Sequence, residues 1–330
     1  MQREHAPLFT PFDAGGATEH PRRRPGLRER QEILVIRHGA FGDLIQADGA
    51  LRDIRKHHPR AWIALLVAPQ YARLMSRCPH VDEVLDDSRP SLLRLRRNLA
   101  LIHQLKRRRF SHIYDLQGSD RTGLYRRLLG SGLWSRKQNP GNSQTPDRLA
   151  YAQQLRQANV PVAHASEPDV GWMADDVSPL LDAAGIRPGY VVLIPGSAAR
   201  HRDKRWPHYA ELARLLGERG RQVVYAPGPD ELDLVQQLPG QVLLGSDGSF
   251  LNWFQLAGVL RDAAFVIGND TGPTHLAACL GRPGLALFGP RTNATRTGLR
   301  YRDFDAIEVD DLNRLTAMQV LEAVAQRTAL

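Results

Sequence analysis

Cysteine is nearly absent from this chain: Cys78 and Cys279 are the only two in 330 residues, far apart and in helix-like or loop segments. They provide neither a disulfide framework nor a ligand cluster with zinc spacing, as expected of a protein kept in a reducing cytoplasm. Long apolar runs are missing too. None approaches the roughly 20 residues a membrane-crossing helix needs, so an integral membrane protein is not expected. The first 30 residues mix charge, glycine and proline without the apolar stretch of a secretory signal, and read as a disordered basic tail rather than an export signal. Aromatic residues make up only 7% of the chain. The basic runs Arg22-Arg23-Arg24, Arg94-Leu95-Arg96-Arg97 and Lys106-Arg107-Arg108-Arg109 therefore lack the interleaved aromatics of a base-stacking surface, and a nucleic-acid partner is not expected.

Positive charge is what the chain has in excess. A net charge of +9 points to anionic partners, among them nucleotide sugars or the acidic face of a membrane, without choosing between them. The arginine-rich runs are either solvated helix faces or points of attraction to anionic lipid head groups.

From Ile33 onward, short apolar or β-branched runs alternate with amphipathic stretches, the pattern of repeated βα units on parallel sheets. The first half predicts strands at Ile33–Ile36, Trp62–Val67, Glu83–Leu85 and His112–Asp115. Helices fall near Asp43–His57, Gln70–Arg77 and Ser91–Arg107. The second half predicts strands at Val191–Ile194, Gln222–Tyr225, Val242–Leu244, Ala264–Ile267 and Leu285–Phe288. Helices at Pro207–Arg219, Asp230–Gln237, Asn252–Arg261 and Thr274–Leu280 separate them. The expected fold class is α/β, with two doubly wound domains. A basic tail occupies residues 1–30, a first domain 31–170, a second 171–310, and a final helix in 311–330 has the spacing to pack back on the first domain. No repeat at a solenoid period is present.

Ala264 to Gly281 is the most informative stretch. A buried strand runs into Gly268-Asn269-Asp270-Thr271-Gly272, and Pro273 sits where a first helical turn tolerates a missing N–H. Amides at that helix start face the carboxyl end of the strand, where open α/β sheets bind ligands and where a diphosphate fits. The alternative is that Asp270 or Thr271 only caps the helix. Three other loops follow strands in the same way. Arg37-His38-Gly39-Ala40-Phe41-Gly42-Asp43 ends on a carboxylate that either caps its helix or takes a proton from a substrate hydroxyl. Pro195-Gly196-Ser197 with Lys204-Arg205-Trp206-Pro207 brings a cation to the sheet edge, where a lysine can neutralise a phosphate. Gly228-Pro229-Asp230-Glu231 places a carboxylate where ribose hydroxyls are held in dinucleotide folds.

In order and spacing these segments resemble bacterial glycosyltransferase family 9, the ADP-heptose:lipopolysaccharide heptosyltransferases and their relatives. The matching pieces run from Ile33 to Arg296. They include Ile33-Leu34-Val35-Ile36-Arg37 with Gly42-Asp43, Asp115-Leu116-Gln117-Gly118, the three segments after strands just named in the second half, Gly268 to Pro273 with His275-Leu276-Ala277, and Gly281-Arg282-Pro283 leading to Leu287-Phe288-Gly289-Pro290. The resemblance implies two facing Rossmann-like domains of GT-B type with a cleft between them, the first for the acceptor and the second for the activated sugar. It implies inverting transfer with Asp43 as general base. Donor binding falls to Gly42, Gly196, Ser197, Lys204, Gly228, Glu231, Trp253, Asp270, Thr271, Gly272 and His275, and acceptor binding to Arg37, Gln117 and Arg121. The donor is then an ADP-sugar, most simply ADP-heptose, used as a substrate with no metal or other cofactor. The acceptor is an anionic glycolipid or lipopolysaccharide core, and the enzyme is cytoplasmic, reaching the inner face of the inner membrane. Asp48-Gly49 departs from the family pattern, which has an apolar residue and proline there. A catalytically silent sugar-nucleotide binder, a transferase with another donor sugar, and an epimerase or hydrolase on a similar fold are the competing readings.

Overall fold

A computed structural model describes residues 31–89, 95–130, 132–137 and 145–327. The expected basic tail, the arginines at 22–24, residues 91–94 of an expected helix and most of the linker near 138–144 lie outside the described residues. The chain divides into two compact units, the first ending at Pro168 and the second beginning at Asp169.

The first unit alternates β1 (Glu32–Ile36), α1 (Phe41–Gln46), α2 (Asp48–His57), β2 (Trp62–Val67), α3 (Ala72–Met75), β3 (Glu83–Asp86), α4 (Leu95–Arg107), β4 (His112–Asp115), α5 (Asp120–Leu129), β5 (Leu133–Arg136) and α6 (Asp147–Gln157). Its five strands are all parallel, in the order β3-β2-β1-β4-β5. Leu34, Ile36, Ala64, Leu66 and Ile113 on one sheet face pack against Ile102 and Leu105 of α4 and Tyr125 and Leu129 of α5. Helices α2 and α6 pack on each other, burying Leu51, Ile54, Tyr151 and Leu155.

Three local features differ from expectation. Helix Asp43–His57 is two helices meeting at Ala47. Within α2, Gly49 lies so close to the 163–165 loop that a Cβ there would stand 2.0 Å from the His164 carbonyl oxygen. The neighbouring Asp53 carboxylate accepts the N–H groups of Ala163, His164 and Ala165 at 3.0, 2.8 and 2.8 Å. The departure at Asp48-Gly49 is therefore a packing feature that docks the end of the first unit's chain on α2. Strand β5 and helices α5 and α6 were not expected. β5 is an edge strand whose Leu133 is 71% exposed, so it lacks the continuous apolar run that marks a doubly covered strand. In the basic run at 106–109, Lys106, Arg107 and Arg109 are exposed, whereas Arg108 is tied to Glu32 at 2.7 Å and Glu83 at 2.8 Å.

The second unit contains α7 (Ser178–Ala183), β6 (Val191–Ile194), α8 (Tyr209–Glu218), β7 (Val223–Tyr225), α9 (Leu232–Val235), β8 (Gln241–Val242), α10 (Trp253–Asp262), β9 (Phe265–Asn269), α11 (Gly272–Cys279), β10 (Gly284–Phe288), α12 (Ala294–Thr297), β11 (Phe304–Glu308) and α13 (Ala317–Ala325). Six parallel strands follow the order β11-β10-β9-β6-β7-β8. The sixth, β11, is again an edge strand, with alternating burial and polar neighbours. The final helix starts at a Thr316–Gln319 capping box, as its sequence indicates. Its apolar face lies in this unit's own core: Val320, Leu321 and Val324 share a cluster with Leu212 and Leu216 of α8. The contact forms because α8 offers a complementary apolar stripe.

Beneath the first unit's sheet, His58 bonds the Tyr114 hydroxyl at 2.9 Å and His112 stacks on the same ring, with centroids 4.1 Å apart. Burial first, then neighbouring cations, pull His58, His80 and His112 from the ordinary 6.5 to about 4. Because the folded state binds these protons less readily than the unfolded chain, stability is full above about pH 6.5 and declines as pH falls toward 4. Urea unfolding of the first unit between pH 7 and 4.5 is expected to show a falling midpoint, partly flattened in His112→Phe. A flat profile in the parent protein would contradict the buried neutral histidines.

Candidate active site

In the second unit the strand order reverses between β6 and β9, and the segments leaving these two carboxyl ends carry Gly196, Ser197, Lys204, Asp270, Thr271, Gly272 and His275 of the expected donor residues; Gly228 and Glu231 follow β7, and Trp253 follows β8. Asn269, the last residue of β9, is fully buried and ties the two loops together. Its amide nitrogen donates to the carbonyls of Pro195 at 2.9 Å and Gly196 at 3.2 Å. Its oxygen accepts from the Trp206 N–H and the Tyr209 hydroxyl, both at 3.2 Å.

The next residue, Asp270, is the electrostatic centre of this edge. Lys204 Nζ lies 2.6 Å from its Oδ2, the Thr292 hydroxyl donates to the same oxygen at 2.8 Å, and His275 Nε2 stands 3.4 Å from Oδ1. Burial opposes the Asp270 charge, but His275 and Lys204 outweigh it and hold the carboxyl well below the usual range. Thr271 is the N-cap of α11 without a side-chain cap bond, and intrahelical bonding starts only at His275 N–H to Thr271 O. The helix start therefore presents first-turn amides ahead of that bond, in a place suited to an anion. Asp270 does not cap the helix; it holds Lys204.

Ser197 is buried, its hydroxyl donating to the His201 carbonyl at 2.8 Å and accepting from Arg205 Nε at 3.1 Å. Gly196 is needed for space, since a Cβ would come within 1.7 Å of Glu231 Oε1. Glu231 accepts the Gly228 N–H at 3.1 Å, and burial raises its carboxyl above the ordinary value despite that bond and the nearby Arg205. Trp253 opens α10, half-buried on the same sheet edge, after the Asn252 cap. A cavity of about 400 Å³ opens beside Lys204 and Asp270, bordered by Arg202, Asp203, Arg291 and Thr292.

In the first unit the reversal falls between β1 and β4. Asp43 occupies the third position of α1, 45% exposed, with Oδ2 accepting the Ala40 N–H at 3.2 Å and facing Arg37 Nη2 at 2.9 Å. Gly42 sits beside it in the first turn of α1, in the other unit from the remaining residues expected to bind donor. Arg37 was expected to hold the acceptor, but it is 2% exposed and committed to Asp43 and to Asp147 at 2.8 Å; it supports Asp43 from beneath. Gln117 Oε1 accepts the His38 N–H at 2.9 Å, which fixes the first loop against β4. Arg121 reaches the Tyr125 hydroxyl at 3.3 Å, and that hydroxyl donates to Asp87 at 2.6 Å beside His38. Asp147, Lys137 and Tyr151, which complete the surroundings of Arg37, were not foreseen. Their one sequence signal was an acidic residue opening a helix after Pro146. Among the described residues, no three His, Cys, Asp or Glu side chains converge as a metal-ligand set.

Two parallel-sheet α/β units with ligand-type loops at the carboxyl edges define the GT-B class of glycosyltransferase folds. The solved glycosyl transferase family 9 structure from Veillonella parvula superposes with a TM-score of 0.75 at 18% identity, covering 90% of this chain and 97% of that one. The E. coli heptosyltransferase WaaC with ADP gives 0.70 at 20% identity, covering 90% and 100%. In sequence the chain is 27% identical over 304 residues to lipopolysaccharide heptosyltransferase 2 of E. coli K12, spanning 78% of this chain and 83% of that protein. The model of glycosyltransferase family 9 (heptosyltransferase) matches residues 148–314, just over half of the chain. The chain belongs to glycosyltransferase family 9, and it is an enzyme that transfers a glycosyl group.

Asn269 generates the prediction specific to this edge. Asn269→Leu keeps the branching at Cγ with somewhat more bulk, and leaves two buried carbonyls and two buried donors without partners, each costing about 1–3 kcal/mol when unsatisfied. Allowing for relaxation, the variant is expected to lose about 2–4 kcal/mol in chemical denaturation, and unchanged stability would refute this role.

Proposed function

We propose that the enzyme moves a sugar, a heptose in the simplest case, from an ADP-activated donor to a hydroxyl of a lipopolysaccharide core or similar anionic glycan, with inversion and without a metal ion. The observation that carries this reading is the Lys204–Asp270 pair at the start of α11. Because Thr292 and His275 also hold Asp270, Lys204 can turn one of its three N–H donors to a phosphate without stripping the carboxylate of partners. Charge developing on the departing diphosphate would then meet the lysine and the α11 amides, where fixed dipoles contribute most to rate.

Asp43 supplies the other half of the reaction. Its carboxylate is held on one side by Arg37 and the Ala40 N–H and is nearly half exposed on the other. It takes the acceptor hydroxyl proton as that oxygen bonds to the anomeric carbon, and the carbon–oxygen bond to the diphosphate breaks on the opposite face. Glu231, raised by burial and set against Gly196, is the group proposed to hold the ribose, with Trp253 beside the base. Gln117 and Arg121 are proposed to meet the anionic acceptor.

No described helix is long and apolar enough to cross a membrane. We propose a cytoplasmic enzyme reaching a lipid-linked acceptor at the inner face of the membrane. The exposed Lys106, Arg107 and Arg109 would contribute attraction of about 1 kcal/mol each near an anionic surface.

Calorimetric titration with ADP, UDP and GDP tests the donor assignment. ADP is expected to bind in preference to the other two, and Lys204→Ala to weaken it about 10- to 100-fold, the worth of one charged hydrogen bond. Equal binding of all three, or undiminished binding in the lysine variant, would overturn it. Asp43→Asn is expected to bind ADP like the parent while turnover with ADP-heptose and a core acceptor falls about 10²- to 10⁴-fold. Parental turnover in that variant would end the assignment of Asp43 as base.

A further inference from the structure

Arg37 is buried at the end of β1, and a single nitrogen, Nη2, faces two carboxylates: Asp43 at 2.9 Å and Asp147 at 2.8 Å. Asp147 opens α6. Its other oxygen is held by Lys137 Nζ at 2.7 Å, and the Tyr151 hydroxyl, one helical turn on, donates to Oδ2 at 3.0 Å. The Tyr151 ring is fully buried beneath both cations, 5.8 Å from the Arg37 guanidinium carbon and 5.6 Å from Lys137 Nζ. The four charges balance in pairs, and Asp43 is the most exposed member.

This arrangement answers a problem that a lone arginine would create. A guanidinium bonded only to Asp43 fixes the carboxylate but stabilises its charged form, and a carboxylate so stabilised is a weaker base. A second carboxylate on the same nitrogen divides that charge. Lys137 in turn limits how strongly Asp147 draws on Arg37. We propose that Asp147, with Lys137 behind it, is a positioning residue that sets the basicity of Asp43 by sharing Arg37 with it. The inference rests on the reading of Asp43 as general base. It extends that reading to residues that touch no substrate.

The charge directions are consistent. Burial disfavours the Arg37 charge, yet Tyr151, Asp43, Asp147 and Asp115 hold the guanidinium above its ordinary value. Burial likewise disfavours the Asp147 charge, and Arg37 and Lys137 more than compensate. The titratable groups facing this cluster from packed elements are Tyr71 in the turn after β2, Asp115 at the end of β4, Lys137 after β5, and Asp147 and Tyr151 on α6. Among these, Asp147 and Lys137 can be exchanged for near-isosteres without removing a core side chain.

Two substitutions should move Asp43 in opposite directions. In Asp147→Asn the full charge of Arg37 falls on Asp43, so its titration, followed by carboxyl-carbon NMR and assigned through its loss in Asp43→Asn, is expected to drop by about 0.5–1 pH unit. The acid limb of kcat/KM should move down with it, and kcat at neutral pH should fall about three- to tenfold as the base weakens. In Lys137→Met, Asp147 draws more of Arg37, and both the titration and the acid limb are expected to move up. A purely structural role would lower activity without this opposed pair of shifts. Titrations that stay in place, or that move the same way in both variants, would overturn the inference. Opposed NMR shifts in a protein whose Asp43→Asn variant keeps full turnover would uphold the charge sharing and remove only the base assignment.

Discussion

Right-handed crossovers between parallel strands can wind outward from a first strand in either direction, and in each unit the chain does both. From β1 it winds to β2 and β3 and then returns to place β4 on the other side; from β6 it winds to β7 and β8 before β9. Where the direction changes, the loops leaving adjacent strands diverge and a crevice opens at the carboxyl edge. Asp43, Gln117, Arg121, Ser197, Lys204, Asp270 and His275 lie on such loops or on the turns and helices that follow them, while Glu231 and Trp253 come from the turns after β7 and β8. The chemistry is therefore a consequence of winding order first and of side-chain identity second.

The two crevices are stabilised differently. That of the second unit is braced by one neutral buried amide, Asn269, with four hydrogen bonds to the loops on either side. A neutral group suits that position, because the charged pair of this edge, Lys204 with Asp270, stands just beyond it. In the first unit the brace is charged. Arg37 sits where its own solvation is lost, and Asp43, Asp147 and the Tyr151 ring replace it. Under the function proposed above the two braces meet different demands: a phosphate site needs fixed positive potential, whereas a general base needs a carboxylate whose charge can change, and that requires compensating charges nearby.

Under the same proposed function, the Lys204–Asp270 pair keeps a cation ready without full exposure. An isolated lysine at this edge would sample many rotamers and lose that entropy on binding a phosphate. Paired with an aspartate that has two further partners, it is already in place. Gly196 serves the same preorganisation by leaving room for the Glu231 carboxylate.

Much of this was legible in the sequence, for a definite reason. Strands covered on both faces must be largely apolar, so β1, β2, β6, β7, β9 and β10 stand out as runs. The loops that follow them carry glycines and polar residues that no buried element would keep, which exposed Asp43, Lys204, Glu231 and Asp270 as candidates. Edge strands β5 and β11 gave no such run, since one side of each needs no apolar cover. The tertiary structure alone decided what depends on distant segments meeting. It brought Asp147 and Lys137 to Arg37, turned Arg37 from a ligand-binding candidate into a buried support, set α13 on α8, and made Gly49 a contact with the 163–165 loop. A pattern of residue types records which face of an element is buried, but not which of several compatible faces it meets, because that choice is made by shape and charge pairing across long stretches of chain.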